Sequence, residues 1–326
     1  MRSSILWTAS VLVAVGALVG CGSPVVSELP VPPADQGFQQ AITPFTVPQG
    51  HEVQACFFFA VPGTPGQDVW VNRFQIADSL GSHHVSVFRV KTISNLSGKP
   101  GDSVFSMDGT GPCYTSSNWS DWPLVMNSQI ASDTDWQLPD GVGEKFQPGE
   151  LLMLQVHFVN ATTQKTPGLA KAAINFYYPK TIPQNEMGTL FATNQNIRIC
   201  PGDEGKSFTK TCHFGATTSV HIIGANGHFH SRGTEFDMMC VDQTGGLIDQ
   251  FYKSTQWDDP LMARNFDQVV PAGGGVEWKC TYDFPQGGCG NPADSCCFTF
   301  GGLVETQEHC NAFVYYYPKT QDINCF

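Results

Sequence analysis

From about Phe45 to the end of the chain, short apolar runs alternate with turns built from Gly, Pro and Asp. The runs Val53–Val61, Val69–Ile76, His84–Val90 and Leu151–Val159 have strand length and are rich in β-branched and aromatic residues, and turn residues bound them. No stretch holds a helical period for more than a turn or two. The pattern predicts an all-β chain of antiparallel sandwiches. A six-residue echo suggests two of them in tandem: Phe176-Tyr177-Tyr178-Pro179-Lys180-Thr181 returns as Tyr315-Tyr316-Tyr317-Pro318-Lys319-Thr320. Each copy falls where a unit of about 140 residues would finish. The expected units are residues 45–185 and 186–326.

Composition agrees with this reading. The chain has 326 residues, with 33 Gly, 22 Pro and 23 Phe, and only 14% are charged. A net charge of −12 argues against a nucleic-acid partner, which needs clustered Lys and Arg to replace counterions. It argues equally against docking on an anionic membrane surface.

The N-terminus reads as targeting rather than fold. Arg2 precedes an apolar run from Ile5 to Val19, too short to span a bilayer, and Leu18-Val19-Gly20-Cys21 is similar to a bacterial lipobox. Residues 1–21 are then a signal peptide, with lipid attached at Cys21. Residues 22–44, rich in Pro, Ser and Val, are an extended tether. Membrane contact is expected only through that lipid, and the chain is expected on the cell envelope, outside the cytoplasm. Eleven cysteines remain after Cys21. In an oxidising compartment most form disulfides, and the odd count leaves at least one unpaired.

Candidate chemistry lies in the histidines. His228 and His230, one residue apart in Gly224-Ala225-Asn226-Gly227-His228-Phe229-His230-Ser231-Arg232-Gly233, project from one face if they lie on a strand, and can serve one metal ion. The glycines around them are expected to make tight turns. His83 and His84 are adjacent, so both can reach one ion only where a bulge or strand end reorients one of them. His157 ends an apolar strand long enough to be central, and His309 lies in Glu308-His309-Cys310-Asn311 ahead of an aromatic strand. His51, His213 and His221 have no such company.

Four motifs in order give the sequence a family likeness: His83-His84-Val85, Leu154-Gln155-Val156-His157-Phe158, His228-Phe229-His230, and Gly301-Gly302 followed by Glu308-His309-Cys310-Asn311. The chain resembles the copper type II, ascorbate-dependent monooxygenases, the peptidylglycine α-hydroxylating and dopamine β-monooxygenase family. The likeness extends from about Cys56 to Cys325. It implies two jelly-roll-like domains, each holding one copper, with an open solvent-filled cleft between them. His83, His84 and His157 would be ligands of an electron-transfer copper. His228 and His230 would hold the oxygen-binding copper, the catalytic site. It also implies the disulfides Cys56–Cys113, Cys280–Cys310 and Cys212–Cys325, and leaves Cys200, Cys240, Cys289, Cys296 and Cys297 unassigned.

Two departures from the family pattern matter. The family's third ligand at the oxygen copper is a methionine, and His309 stands in its place, with Met238 or Met239 as substitutes outside the motif. An imidazole tolerates both copper oxidation states, whereas a thioether favours Cu(I). The substrate-carboxylate clamp of the peptide-amidating members is an Arg, an Asn and a Tyr. Here those places read Asn226, Asn311 and Phe313. Losing the cation removes the charge-assisted contact, so glycine-extended peptides are not the expected substrate. The reading is a monooxygenase that uses O2 and an external reductant, ascorbate in the family, on an unidentified organic substrate. The competing reading is a copper-binding surface lipoprotein without catalysis on the same scaffold.

Overall fold

Strand alternation sorts the apolar side chains of this chain into two cores, and one sheet serves both. The computed structural model describes residues 29–326 apart from 92–95, 97, 116–121, 130–133, 162–167, 291 and 293–294. The signal segment, Cys21 and the first part of the tether lie outside the described residues. Among the described residues the chain is all-β: the one α-helix is the single turn Pro112–Thr115, and no helix is long and apolar enough to cross a membrane.

In the N-terminal half a five-stranded antiparallel sheet runs in the order Ser103–Met107, Glu52–Ala60, Leu151–Val159, Ser82–Arg89, Leu124–Ser128. The Leu151–Val159 strand is central, as its apolar run predicts. A four-stranded sheet orders Gly37–Ala41, Ala172–Tyr177, Arg73–Asp78 and Thr134–Gln137. The expected strand at 69–76 is therefore two, Val69–Val71 and Arg73–Asp78, in different sheets. The tether expected over 22–44 ends early. Gly37–Ala41 pairs antiparallel with Ala173–Tyr177, and Phe38 stacks on Phe176 with centroids 4.6 Å apart.

In the C-terminal half the order is Ala263–Val270, Val220–His228, Asn311–Tyr317, Gly188–Thr193, Ile323–Cys325, facing a second sheet of Lys206–His213, Gly275–Tyr282, Gly233–Val241 and Leu247–Ser254. The central strands of the first sheet are buried on both faces. Leu190, Ala192, Ala312, Val314 and Tyr316 enter the core of their own half. The intervening Phe191, Phe313 and Tyr315 pack into the core of the N-terminal half. Two-sided burial explains why Asn311–Tyr317 is apolar at nearly every position.

Polar contacts also join the halves. The Tyr315 hydroxyl donates to Asn127 Oδ1 and accepts the Asn127 backbone N–H at 2.9 Å. The Thr189 hydroxyl donates to the Leu124 carbonyl at 2.6 Å. Buried Arg89 pairs with Glu144 and Glu150, and Asp322 of the C-terminal half lies 4.0 Å from its Nε. The six-residue echo does not mark equivalent places: Phe176 lies in the four-stranded sheet that carries no site histidine, and Tyr315 in the sheet that carries His228.

Five disulfides bridge the described cysteines: Cys56–Cys113, Cys212–Cys325, Cys280–Cys310, Cys200–Cys297 and Cys289–Cys296. The first three are the pairs implied by the resemblance. Cys240 is the free thiol, buried among apolar neighbours that push its pKa up to about 12 and so keep it unreactive.

Candidate metal centre

The first histidine group is made by a bulge. Where Ser82–Arg89 pairs with Leu151–Val159, His157 opposes His84 and Phe158 opposes Ser82, so His83 is the extra residue. The bulge turns His83 and His84 toward one space, with ring centroids 5.5 Å apart. His157 follows from the central strand, 5.3 Å from His83 and 5.2 Å from His84. Its Nε2 donates to Glu52 Oε2 at 3.0 Å, and the same oxygen accepts the Val304 N–H of the other half at 3.3 Å. His84 Nε2 donates to Gln155 Oε1 at 3.2 Å, leaving its Nδ1 buried without a partner among the described residues.

The second group is held by a buried carboxylate. His228 is the last residue of its strand, and His230 lies beyond it, so strand alternation does not bring the two rings together. Glu308 does: one oxygen accepts the His230 backbone N–H at 2.9 Å and the other the Arg232 N–H at 3.0 Å. This ties the 228–232 segment to the loop that bears His309. His230 Nδ1 donates to the Gln307 carbonyl at 2.9 Å, which fixes the tautomer and presents Nε2 as the free donor atom. Burial pushes Glu308 up to about 7, against the lowering effect of Arg232 and these N–H groups. Arg232 donates to the Val304 and Glu305 carbonyls and lies over Phe298, so it braces the loop.

Gly224 and Gly227 serve a different purpose from the expected turns. Both lie within the strand Val220–His228, Gly224 just past a register shift, and a side chain on Gly224 would meet Trp136 at 2.7 Å and one on Gly227 would meet Phe236 at 2.6 Å. Their bareness lets an aromatic ring approach each face of the strand that ends at His228.

Ligand atoms of His228, His230 and His309 all lie within 4.8 Å of one another, and so do those of His83, His84 and His228. The two groups therefore touch. His228 is 4.7 Å from His83 and 5.1 Å from His309, ring to ring, and no open cleft parts them. The difference from the expected two separated trios has a physical reason: Phe191, Phe313 and Tyr315 dock one half on the other's core, which brings the strand ends together. His51, His213 and His221 lie outside the group, bonded to Asp108, the Gly273 carbonyl and Asp267.

The donor set suits a soft or borderline divalent metal. Burial, then neighbouring imidazoles, holds His83, His84, His228 and His230 well below the usual 6.5 and pushes His309 down to about 3. Neutral rings keep their lone pairs. His83 Nε2, His84 Nδ1, both nitrogens of His228, His230 Nε2 and His309 Nδ1 are buried with no hydrogen-bond partner among the described residues. So many orphaned imidazole nitrogens facing one another are costly in a protein interior unless an ion engages them. These residues fit copper or zinc. Met238 is packed in the apolar core of the C-terminal half.

A cavity of about 180 Å³ opens onto His84, His228 and His309. Asn311 lines it. Asn226 does not; it is fully buried opposite Phe313 on the neighbouring strand. Sequence reasoning missed Glu52 and Glu308 because a carboxylate that orients a histidine has no spacing of its own, and it missed Gln129, which lines the cavity.

Among solved structures, that of infectious bursal disease virus Gx strain matches at 10% identity, covering 90% of this chain and 76% of that chain with a TM-score of 0.22. The infectious bursal disease virus VP2 subviral particle matches at 11% identity, covering 89% and 74%, with a TM-score of 0.22. Scores this low bear on neither fold nor function. No curated protein matches the chain. Residues 185–326 match the family model of the copper type II ascorbate-dependent monooxygenase, C-terminal domain. That stretch carries His228, His230 and His309 together, and it belongs to this copper monooxygenase family.

Proposed function

We propose that the chain is a copper monooxygenase that hydroxylates a C–H bond of an organic substrate with O2 and an external one-electron reductant of the ascorbate class. The observation that carries this reading is the cavity that opens onto His84, His228 and His309, next to two groups of orphaned imidazole nitrogens. His228, His230 and His309 would hold one copper. His83 and His84 would hold the other with His157, which would give up its bond to Glu52. Copper, when bound, supplies the electron transfer and dioxygen activation that closed-shell side chains cannot.

The overall change is balanced: the C–H carbon gains one oxygen atom as a hydroxyl, and the O–O bond breaks. The second oxygen leaves as water with two protons and two electrons, which two molecules of the reductant provide. The protein's own contribution is placement. Glu308 and the Gln307 carbonyl fix the turn and tautomer of His230, and Gln155 fixes His84. The Phe-lined cavity limits water around the reacting carbon. The protein works outside the cytoplasm, where its five disulfides persist, tethered by lipid on Cys21.

The test is metal content followed by oxygen uptake. The purified chain should hold two coppers and consume oxygen when ascorbate and a substrate that fits the cavity are supplied. Two coppers with no oxygen turnover under any reductant would establish the rival reading, a copper-binding lipoprotein. A single zinc per chain would remove both.

A further inference from the structure

Resting on the monooxygenase reading, the wall of the cavity narrows the substrate. Among the described residues, no Asp, Glu, Lys or Arg side chain lines it. One wall is a slab of phenyl rings: Phe191 and Phe313 stack with centroids 5.0 Å apart and planes 4° apart, and Phe88 lies 6.1 Å from Phe191. The neutral polar side chains on the same lining include three, each more than nine-tenths buried, that keep unpaired atoms: Gln129 at 3% exposed, Thr193 at 1% and Asn311 at 6%. Both amide atoms of Gln129, the Thr193 hydroxyl and Asn311 Oδ1 have no hydrogen-bond partner among the described residues. Buried polar atoms in proteins are almost always paired, so an unpaired set around a cavity points to a ligand that pairs them.

We infer that the cavity takes an uncharged, ring-sized organic molecule bearing a neutral donor–acceptor group of the carboxamide kind, met by Gln129, Thr193 and Asn311. A carboxamide offers an N–H to the Asn311 oxygen and both a donor and an acceptor to the Gln129 amide. The phenyl slab receives a flat apolar body. A volume of about 180 Å³ is several times the ~30 Å³ share of one water, which suits a single ring with a short arm. In the copper-free chain a charged ligand would lose its hydration with no oppositely charged side chain among the described lining residues to replace it.

Calorimetric titration of the full chain tests this, with copper bound and with copper removed. The probes are phenylacetamide, phenylacetate, phenethylammonium and toluene, which share a ring and differ in the polar group. In the copper-free chain phenylacetamide should bind at least about tenfold more tightly than either ion, the effect of roughly 1.4 kcal/mol. Gln129→Leu should weaken phenylacetamide by about tenfold and leave toluene unchanged, because only the amide loses partners. Either ion binding as tightly as the amide in the copper-free chain overturns the inference. So does failure of all four probes to bind, or a Gln129→Leu variant that weakens toluene as much as phenylacetamide. Oxygen uptake on the same preparation separates the two readings. Selective amide binding without turnover would sink the monooxygenase and leave the pocket assignment standing; turnover without amide selectivity would do the reverse.

Discussion

The two histidine groups are built by opposite means. The C-terminal trio is complete within its own half: His228, His230 and His309 come from a strand end and a loop that Glu308 fastens together from inside. The N-terminal group is not. A bulge supplies His83 and His84, but the third nitrogen that converges on them is that of His228 from the other half, while His157 is held by Glu52. A site braced by its own buried carboxylate can stand alone, whereas a site that borrows a neighbour's ring depends on how the halves dock. The shared residue His228 is where the comparison can be broken most sharply.

His228→Ala should have the largest effect. It removes a ligand from the second group and the nearest foreign imidazole from the first. Copper content should fall from two ions to one, and the ion that remains should bind more weakly. His309→Ala should also cost one ion, but without weakening the other. Equilibrium dialysis against a copper chelator reads both numbers. If the remaining ion in His228→Ala binds as in the parent chain, the groups are independent and the contact between them carries no energy.

Glu308→Gln sharpens the other side of the contrast. The carboxylate accepts two backbone N–H groups with its two oxygens, and an amide has one oxygen for them. One N–H, of His230 or Arg232, is left facing a donor in a fully buried place. Losing such an orienting partner typically lowers metal affinity by about 10- to 100-fold. The loss should fall on the copper of His228, His230 and His309 and spare that of His83 and His84. Equal weakening at both sites, followed by copper-specific spectroscopy, would show that the brace supports the whole cluster.

Much of this was legible in the sequence, for physical reasons that also mark its limits. Strands buried on one or two faces announce themselves through apolar alternation or apolar runs, and Leu151–Val159 falls where its run predicts. The need for a bulge at His83-His84 followed from the period of a strand alone, and the register shift supplies it. What the sequence hid was everything set by contact between distant segments. The strand ends at His228, so His230 reaches its place through Glu308, which only the fold brings near. Phe38 joins a sheet despite its Pro-rich surroundings because Phe176 offers it a face. The docking of the halves rests on which side of one strand Phe313 and Tyr315 face, and the local pattern names the sides without saying what covers them.

Tyr315→Phe probes that docking with the smallest change. The hydroxyl both donates to and accepts from Asn127, so deleting it strands an N–H and an amide oxygen in a fully buried place. The ring and its edge-on contact with Trp136, 5.0 Å away, stay in place. Leaving buried groups unpaired costs about 1–3 kcal/mol, and each kcal/mol lowers the melting temperature of a domain of 150–250 residues by about 2–4 °C. If the sheet that carries His228 is a working part of both cores, calorimetry should show one unfolding transition, moved down as a whole, with copper content unchanged. Two transitions, only one of them shifted, would mean that the halves melt separately. In that case the contact between the histidine groups would be a docked arrangement that can open, and the dependence of the first group on His228 would fail with it.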